Sequence, residues 1–276
     1  MALRLRDDEA LFSATFVIDG SSITKEDEHA SRQQGCAGHR RRIGLGQGIA
    51  ETFAREGARV AVVDINEKAA RQAAASISNK AIALRCDVSQ RADVDTAVRA
   101  TVDAFGRIDI LVNNAGMSHV RRPMLEVEEA EFDRLMAVNV KSIFLFAHAV
   151  VPLMRKQKSG VIISIGSTAG LRPRPGLTWY NASKAAVNLV SKSMAVELAG
   201  DGIRVCAIAP VMAETPLLST FMGGDSPELR AQFKATVPLG RFATVDDVAN
   251  ATLFLASEEA SFLTGNVLEV DGGRCV

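Results

Sequence analysis

Tyr180 is the one tyrosine of the chain, and Lys184 follows it in the run Tyr180-Asn181-Ala182-Ser183-Lys184. On a helix this i, i+4 spacing puts the phenol and the ammonium on one face. A free phenol, with a pKa of about 10, is a poor base at neutral pH. A nearby ammonium favours the phenolate and lowers that value. Taken alone, the pair reads more readily as an ordinary surface pair, since such pairs are common on helices. Ser167 changes the weighing. It lies just past the β-branched run 161–165, and its hydroxyl could hold a carbonyl or alkoxide oxygen beside the phenol. Three further signals are weak singly. Asn113-Asn114-Ala115-Gly116 follows the run 108–112 and alone reads as a turn. Asp64 closes the run 58–64. An acid there can accept hydrogen bonds from an adenosine ribose and repel a 2′-phosphate, or simply cap a helix. Asn139 interrupts a helical stretch in which Asn is a poor helix former, and a local hydrogen bond accounts for it.

The elements that must position these residues are regular from about Leu45 onward. Short apolar runs at 58–64, 81–86, 108–112, 161–165, 203–208 and 267–270 alternate with helical periodicity at 46–56, 67–77, 91–105, 129–155, 179–198 and 245–256. Such alternation predicts parallel strands covered on both faces, joined by right-handed crossovers. The predicted fold is α/β, a Rossmann-type doubly wound parallel sheet in one domain. In such sheets ligands sit beyond the carboxyl ends of the strands, where Asp64, Asn114 and Ser167 all fall.

Composition bounds the partners. Across 276 residues, 32 Lys+Arg balance 32 Asp+Glu, so the chain lacks the excess positive charge of a nucleic-acid or anionic-membrane binder. Cys36, Cys86, Cys206 and Cys275 are scattered and fit neither a zinc site nor a disulfide framework. They read as thiols of a reducing cytoplasm, and no metal is expected. No apolar stretch near the start has signal-peptide form. The longest apolar run, 143–154, is broken by His148 and too short to span a bilayer; it reads as a buried helix.

Together these residues resemble the short-chain dehydrogenase/reductase family, from about Gly44 to the C-terminus. The matching pieces are Gly44-Leu45-Gly46, Asp64, Asp87-Val88, Asn113-Asn114-Ala115-Gly116, Asn139, Ser167, Tyr180 with Lys184, Pro210 with Thr215, and Asp271-Gly272-Gly273. The resemblance implies a nicotinamide-dependent oxidoreductase acting on an alcohol or carbonyl. It casts Tyr180 as general acid/base, Lys184 as the group that lowers its pKa and holds the nicotinamide ribose, Ser167 as the orienter of the substrate oxygen, and Asn139 as the holder of a water in a proton relay. It assigns cofactor contact to Gly44, Leu45, Gly46, Asp64, Ile65, Asp87, Val88, Asn114, Ala115, Gly116, Tyr180, Lys184, Pro210, Val211, Met212 and Thr215. Val211 stands where the family usually has glycine. Asp64 points to NAD over NADP. The implied activity interconverts a small secondary alcohol and a ketone. The alternatives are an NADP-dependent 3-oxoacyl-carrier reductase and a Rossmann-fold binding or regulatory protein without turnover. The segment 217–239 reads as a substrate lid, with Leu217, Leu218, Phe221 and Met222 suggesting a partly apolar substrate. The helical stretches 129–155 and 179–198 resemble the family's dimer-forming pair, which implies a homotetramer or homodimer.

Residues 1–43 depart from the family, leaving 44–276 as the recognisable domain. The family's first strand ends in Thr-Gly, three residues before Gly-x-Gly, bringing backbone N–H groups to a pyrophosphate. Here His39 and Arg40 fill those positions, and Arg40 lacks glycine's backbone freedom. The segment 14–18 is the only upstream run able to act as a strand and fill the first-strand slot. Residues 7–20 also resemble the chain's own ending, 257–272, which fits a junction with a neighbouring reading frame as well as it fits coincidence. Codons permitted for Gly35 to Gly44, read one nucleotide later, spell Val-Ala-Gln-Val-Thr-Gly-Ala-Gly-Ser, a strand and a family-type glycine loop. We therefore expect residues 29–43 to be an out-of-frame reading. Sequencing the gene across these codons tests this: the shifted frame should spell that run, and any other result rejects the idea.

Overall fold

The computed structural model describes residues 14–18, 44–77, 81–215 and 218–276. The out-of-frame candidate and the leader-like residues 1–13 lie outside the described residues, as does Leu217. Seven strands form one sheet: β1 (Ala14–Ile18), β2 (Arg59–Asp64), β3 (Ala81–Arg85), β4 (Ile110–Asn113), β5 (Gly160–Ile165), β6 (Ile203–Pro210) and β7 (Val267–Val270), in the order β3-β2-β1-β4-β5-β6-β7. The expected doubly wound α/β architecture is present.

The first-strand slot is filled by β1, in antiparallel orientation. Its backbone pairs Phe16 with Ala61 of β2 on one side and with Leu111 of β4 on the other. The other neighbouring pairs, β2 with β3 and β4 through β7, are parallel. A short glycine loop would force the first strand to run upward into helix α1 (Leu45–Arg55). Here residues 19–43 separate Ile18 from Gly44, so loop length does not set the strand's direction. The slot still has to be filled, because β2 and β4 would otherwise each present an unpaired edge at the centre of the sheet.

Helices cover both faces. α1, α2 (Glu67–Ile77) and α9 (Val245–Ala256) bury Ile49, Phe53, Ala73 and Val248 against Val60, Val62, Ile163 and Ile208. On the opposite face α3 (Arg91–Phe105), α5 (Ser142–Gln157) and α6 (Thr178–Leu198) bury Val94, Phe146, Met154 and Leu198 against Ala61, Val63, Leu111 and Ile162. Alternate residues of β2 thus go to opposite cores, as the pleat requires. Phe53 and Phe146 are fully buried, each contributing on the order of 2–3 kcal/mol.

Two expectations need amendment. α4 (Glu129–Met136) runs through a π turn (Ala137–Lys141) into α5, making a continuous helix from Glu129 to Gln157. By length and composition it could cross a membrane, although the run 143–154 alone could not. Its apolar side chains Ile143, Leu145, Phe146 and Val150 are buried in the protein, so it serves as a core helix. The segment read as a lid contains two short helices, α7 (Leu218–Met222) and α8 (Pro227–Lys234), that were not distinguished in the sequence. Ser226 caps α8 by accepting from the Leu229 N–H at 3.3 Å.

Candidate active site

The site is built where β5 ends. Gly166 follows Ile165, and a Cβ there would run into the Asn188 side chain and lie 3.2 Å from the Ile208 carbonyl oxygen. Ser167 is extended, at φ −171°, and its Oγ accepts from the Ala169 N–H at 3.1 Å. The turn Thr168–Gly170 then lies hard against α6: a Cβ at Gly170 would sit 2.5 Å from the Ala185 nitrogen. Close backbone approach of this kind admits only glycine, and it sets Ser167 opposite Tyr180. The Ser167 hydroxyl lies beside the phenol and favours its ionised form.

Tyr180, Ser167 and Lys184 are all buried. Burial pushes the Tyr180 phenol above its ordinary pKa, opposed by the Ser167 hydrogen bond and the Arg174 guanidinium. Burial also lowers the Lys184 ammonium to about 8, and its Nζ donates to the Ile165 carbonyl at 2.8 Å. Lys184, cast as the group that acidifies the phenol, is held by the end of β5 on the same helix as Tyr180.

Asn139 sits in the π turn and is buried. Its Oδ1 accepts from the Met117 N–H at 2.8 Å, and its Nδ2 donates to the Met117 carbonyl and the Ser183 Oγ, both at 2.9 Å. Ser183 Oγ in turn donates to the Tyr180 carbonyl at 2.8 Å. Asn139 thus clamps the loop after β4 to the helix carrying Tyr180. The local hydrogen bond anticipated for it is in fact this clamp.

The other sequence-predicted positions gather along the carboxyl edge. Gly44, with Leu45 and Gly46 following, opens α1. Asp64, at the end of β2, is fully buried; its Oδ1 accepts from the Asn66 N–H at 2.7 Å, and its Oδ2 has no partner among the described residues. Burial raises its carboxyl to about 6, against the lowering by the Asn66 N–H. Ile65 is half exposed beside it. Asn114, Ala115 and Gly116 follow β4, and a Cβ at Gly116 would press on Lys184 Nζ at 3.1 Å. Pro210, Val211, Met212 and Thr215 leave β6, with Val211, Met212 and Thr215 buried. The Asp87 Oδ1 is taken up by the Ser89 N–H and hydroxyl, at 2.9 and 2.7 Å, and Val88 packs into the core with Val94. Glu269, Asp271 and Cys275 cluster closely enough to suggest metal ligation. Both Asp271 oxygens, however, accept from the Gly273 and Cys275 N–H groups, at 2.8 and 2.7 Å, which is the closing turn.

A family model described as enoyl-(acyl carrier protein) reductase matches residues 38–274. A 4-formylbenzenesulfonate dehydrogenase of Comamonas testosteroni is 45% identical over 235 residues, covering 84% of this chain and 93% of the relative. The chain belongs to the short-chain dehydrogenase/reductase family. A 2-(R)-hydroxypropyl-CoM dehydrogenase of Xanthobacter autotrophicus is 42% identical, covering 83% of this chain and 93% of that one. A crystal structure of a 3-ketoacyl-(acyl-carrier-protein) reductase from Brucella melitensis, complexed with NADH, superposes with TM-score 0.80 at 43% identity, covering 84% of this chain and 94% of that one. The protein is therefore a nicotinamide-dependent oxidoreductase acting on CH–OH groups, and the reading without turnover is set aside. The buried, half-satisfied Asp64 carboxylate fits the family's cofactor, since Oδ2 is free to accept from a ribose hydroxyl.

Sequence reasoning missed Ser183, Gly170 and Arg174. Ser183 lies inside the Tyr180–Lys184 motif and could have been found there. Gly170 and Arg174 acquire meaning only through contacts distant in sequence.

Asp64 also makes a prediction about stability. A carboxyl whose folded pKa is raised costs stability above about pH 6, and the cost disappears as pH falls to the ordinary carboxyl value of 3.8. Asp64→Asn should therefore raise the Tm of the cofactor-free protein at pH 7.5. The ceiling is about 3 kcal/mol, and the advantage should close below pH 4. Thermal melts across this range test it; a gap independent of pH contradicts it.

Proposed function

We propose that this enzyme interconverts a secondary alcohol and a ketone with NAD(H), using Tyr180 as the general acid/base. The buried Ser167 hydroxyl beside the buried Tyr180 phenol carries the reading. Those two hydroxyls converge on one point, where a substrate oxygen can receive the Ser167 proton as a hydrogen bond and exchange a proton with the phenol. The nicotinamide group supplies or accepts the hydride when bound. In reduction Tyr180 gives its proton to the developing alkoxide; in oxidation it takes the alcohol proton. Lys184 lies between the end of β5 and Gly116, so its ammonium can reach the cofactor's ribose while adding positive potential behind the phenol. Water positioning by the Asn139 region is part of the same proposal.

NAD is favoured over NADP because a phosphate beside buried Asp64 would meet a carboxylate with no cation paired to it among the described residues. The same argument disfavours an NADP-dependent 3-oxoacyl-carrier reductase. We place the enzyme in the cytoplasm, in keeping with its unpaired cysteines Cys86, Cys206 and Cys275.

Tyr180→Phe should lower kcat/KM by about 10²–10⁴-fold with little change in Tm. Retained turnover rejects the assignment, and a clear preference for NADP in steady-state kinetics rejects the role of Asp64.

We propose further that the protein assembles as a homodimer or homotetramer through α5 and α6. Phe144, Leu189 and Val196 stand exposed on these two helices, and a second copy would cover them. Light scattering should give two or four times the 29.4 kDa chain mass; a monomer at micromolar concentration rejects it.

A further inference from the structure

Beside Tyr180 lies a cavity of about 220 Å³. Phe221 on its wall contacts the Tyr180 ring, with centroids 5.2 Å apart. Much of the lining is apolar, including Leu177, Met212, Met222 and Phe233. Three guanidinium groups also line it, from Arg121, Arg174 and Arg274, and no acid does.

These three differ from neighbouring arginines. Arg122 is paired with Glu131, and Arg230 with Asp225 at 2.5 Å. Among the described residues no carboxylate lies within ion-pair distance of Arg121, Arg174 or Arg274. Arg174 is sufficiently buried, with Arg274 close by, that its pKa drops to about 10. Arg174 and Arg274 both lie over the Phe233 ring, 5.4 and 5.2 Å from its centroid. Arg274 is further fixed by donating to Thr236 Oγ1 at 3.1 Å and by the Arg172 guanidinium, which donates to its carbonyl. Two cations held side by side, partly desolvated and without an ion-pair partner among the described residues, are unfavourable on their own, and the Asp271 carboxylate offsets only part of that for Arg274. An oxyanion between them would relieve that cost and accept charge-assisted hydrogen bonds from their planar forks.

We propose that the substrate carries an oxyanion group, a carboxylate or sulfonate, gripped by Arg174 and Arg274, while the apolar wall covers its carbon body. Arg121 adds a third positive charge to the cavity wall. This rests on the assignment of Tyr180 as the proton-transfer group, because the cavity is useful only if the reacting carbon lies beside that phenol.

The test uses 4-acetylbenzoate, 4-acetylbenzenesulfonate and methyl 4-acetylbenzoate as substrates, with NADH and NADPH both supplied. The wild type should favour at least one anion over the ester by about 10- to 100-fold in kcat/KM. Which anion is preferred tells carboxylate from sulfonate. Arg174→Gln and, separately, Arg274→Gln should each remove most of that preference, with Tm measured to confirm folding. Equal use of anion and ester by the wild type overturns the proposal. So does an Arg174→Gln variant that shifts the pH profile but keeps the anion preference, because the guanidinium then serves only the phenol. Calorimetric titration with benzoate and benzamide is independent of turnover. Benzoate binding that is tighter than benzamide binding and lost in Arg174→Gln supports the anion site even if none of the ketones is reduced, in which case only the reading of the reaction fails. Equal binding of the two probes overturns the anion site.

Discussion

The hydrogen bond from the Lys184 ammonium to the Ile165 carbonyl fixes the electrostatics of the whole site. It holds a buried positive charge at the carboxyl end of β5 with a carbonyl dipole and no acid. Arg174 is likewise partly desolvated, and its guanidinium favours the Tyr180 phenolate. Cations that lose hydration without an ion-pair partner are steadied by negative charge arriving beside them. The phenolate of Tyr180 is one such charge. Burial raises the cost of forming it, and the Arg174 guanidinium with the Ser167 hydroxyl lowers that cost again. The phenol is thereby kept in a water-poor environment where its proton can still move.

Backbone geometry makes this arrangement rigid. Gly166 and Gly170 let the loop after β5 approach α6 more closely than a side chain would permit. The π turn aims Asn139 across the gap between α4–α5 and the loop after β4, where its amide binds both Met117 and Ser183. One-turn π bulges of this kind recur at functional sites because the extra residue redirects a single side chain without ending the helix. Ser167, Tyr180 and Lys184 are therefore held by strand ends and a long helix, and α7 and α8 contribute Phe221, Met222 and Phe233 to the neighbouring cavity wall.

Much of this was readable before any coordinates. Strands β2 to β7 and the long helices follow from runs of β-branched residues and from helical periodicity, which act locally. Ser167, Tyr180, Lys184 and Asp64 were legible because each stands at a strand end or inside a short motif. What escaped depends on contacts between distant segments. Arg121, Arg174 and Arg274 come from three separate loops and meet only in the folded chain. The direction of β1 was not legible either, because hydrophobic pattern selects a slot in a sheet but is indifferent to polarity.

The scarcity of certain rings has an optical corollary. Tyr180 is the only phenol in the protein, and the only indole, Trp179, is its immediate neighbour in sequence. That indole is anchored by its Nε1–H to the Met124 carbonyl at 3.1 Å and by an edge contact to Phe132, with ring centroids 5.4 Å apart. Near-ultraviolet absorbance of ionised phenol therefore reports one proton at one position with no background from other tyrosines, and the emission of a single fixed fluorophore monitors the helix that carries it. The molecule comes already labelled at the point where its chemistry takes place.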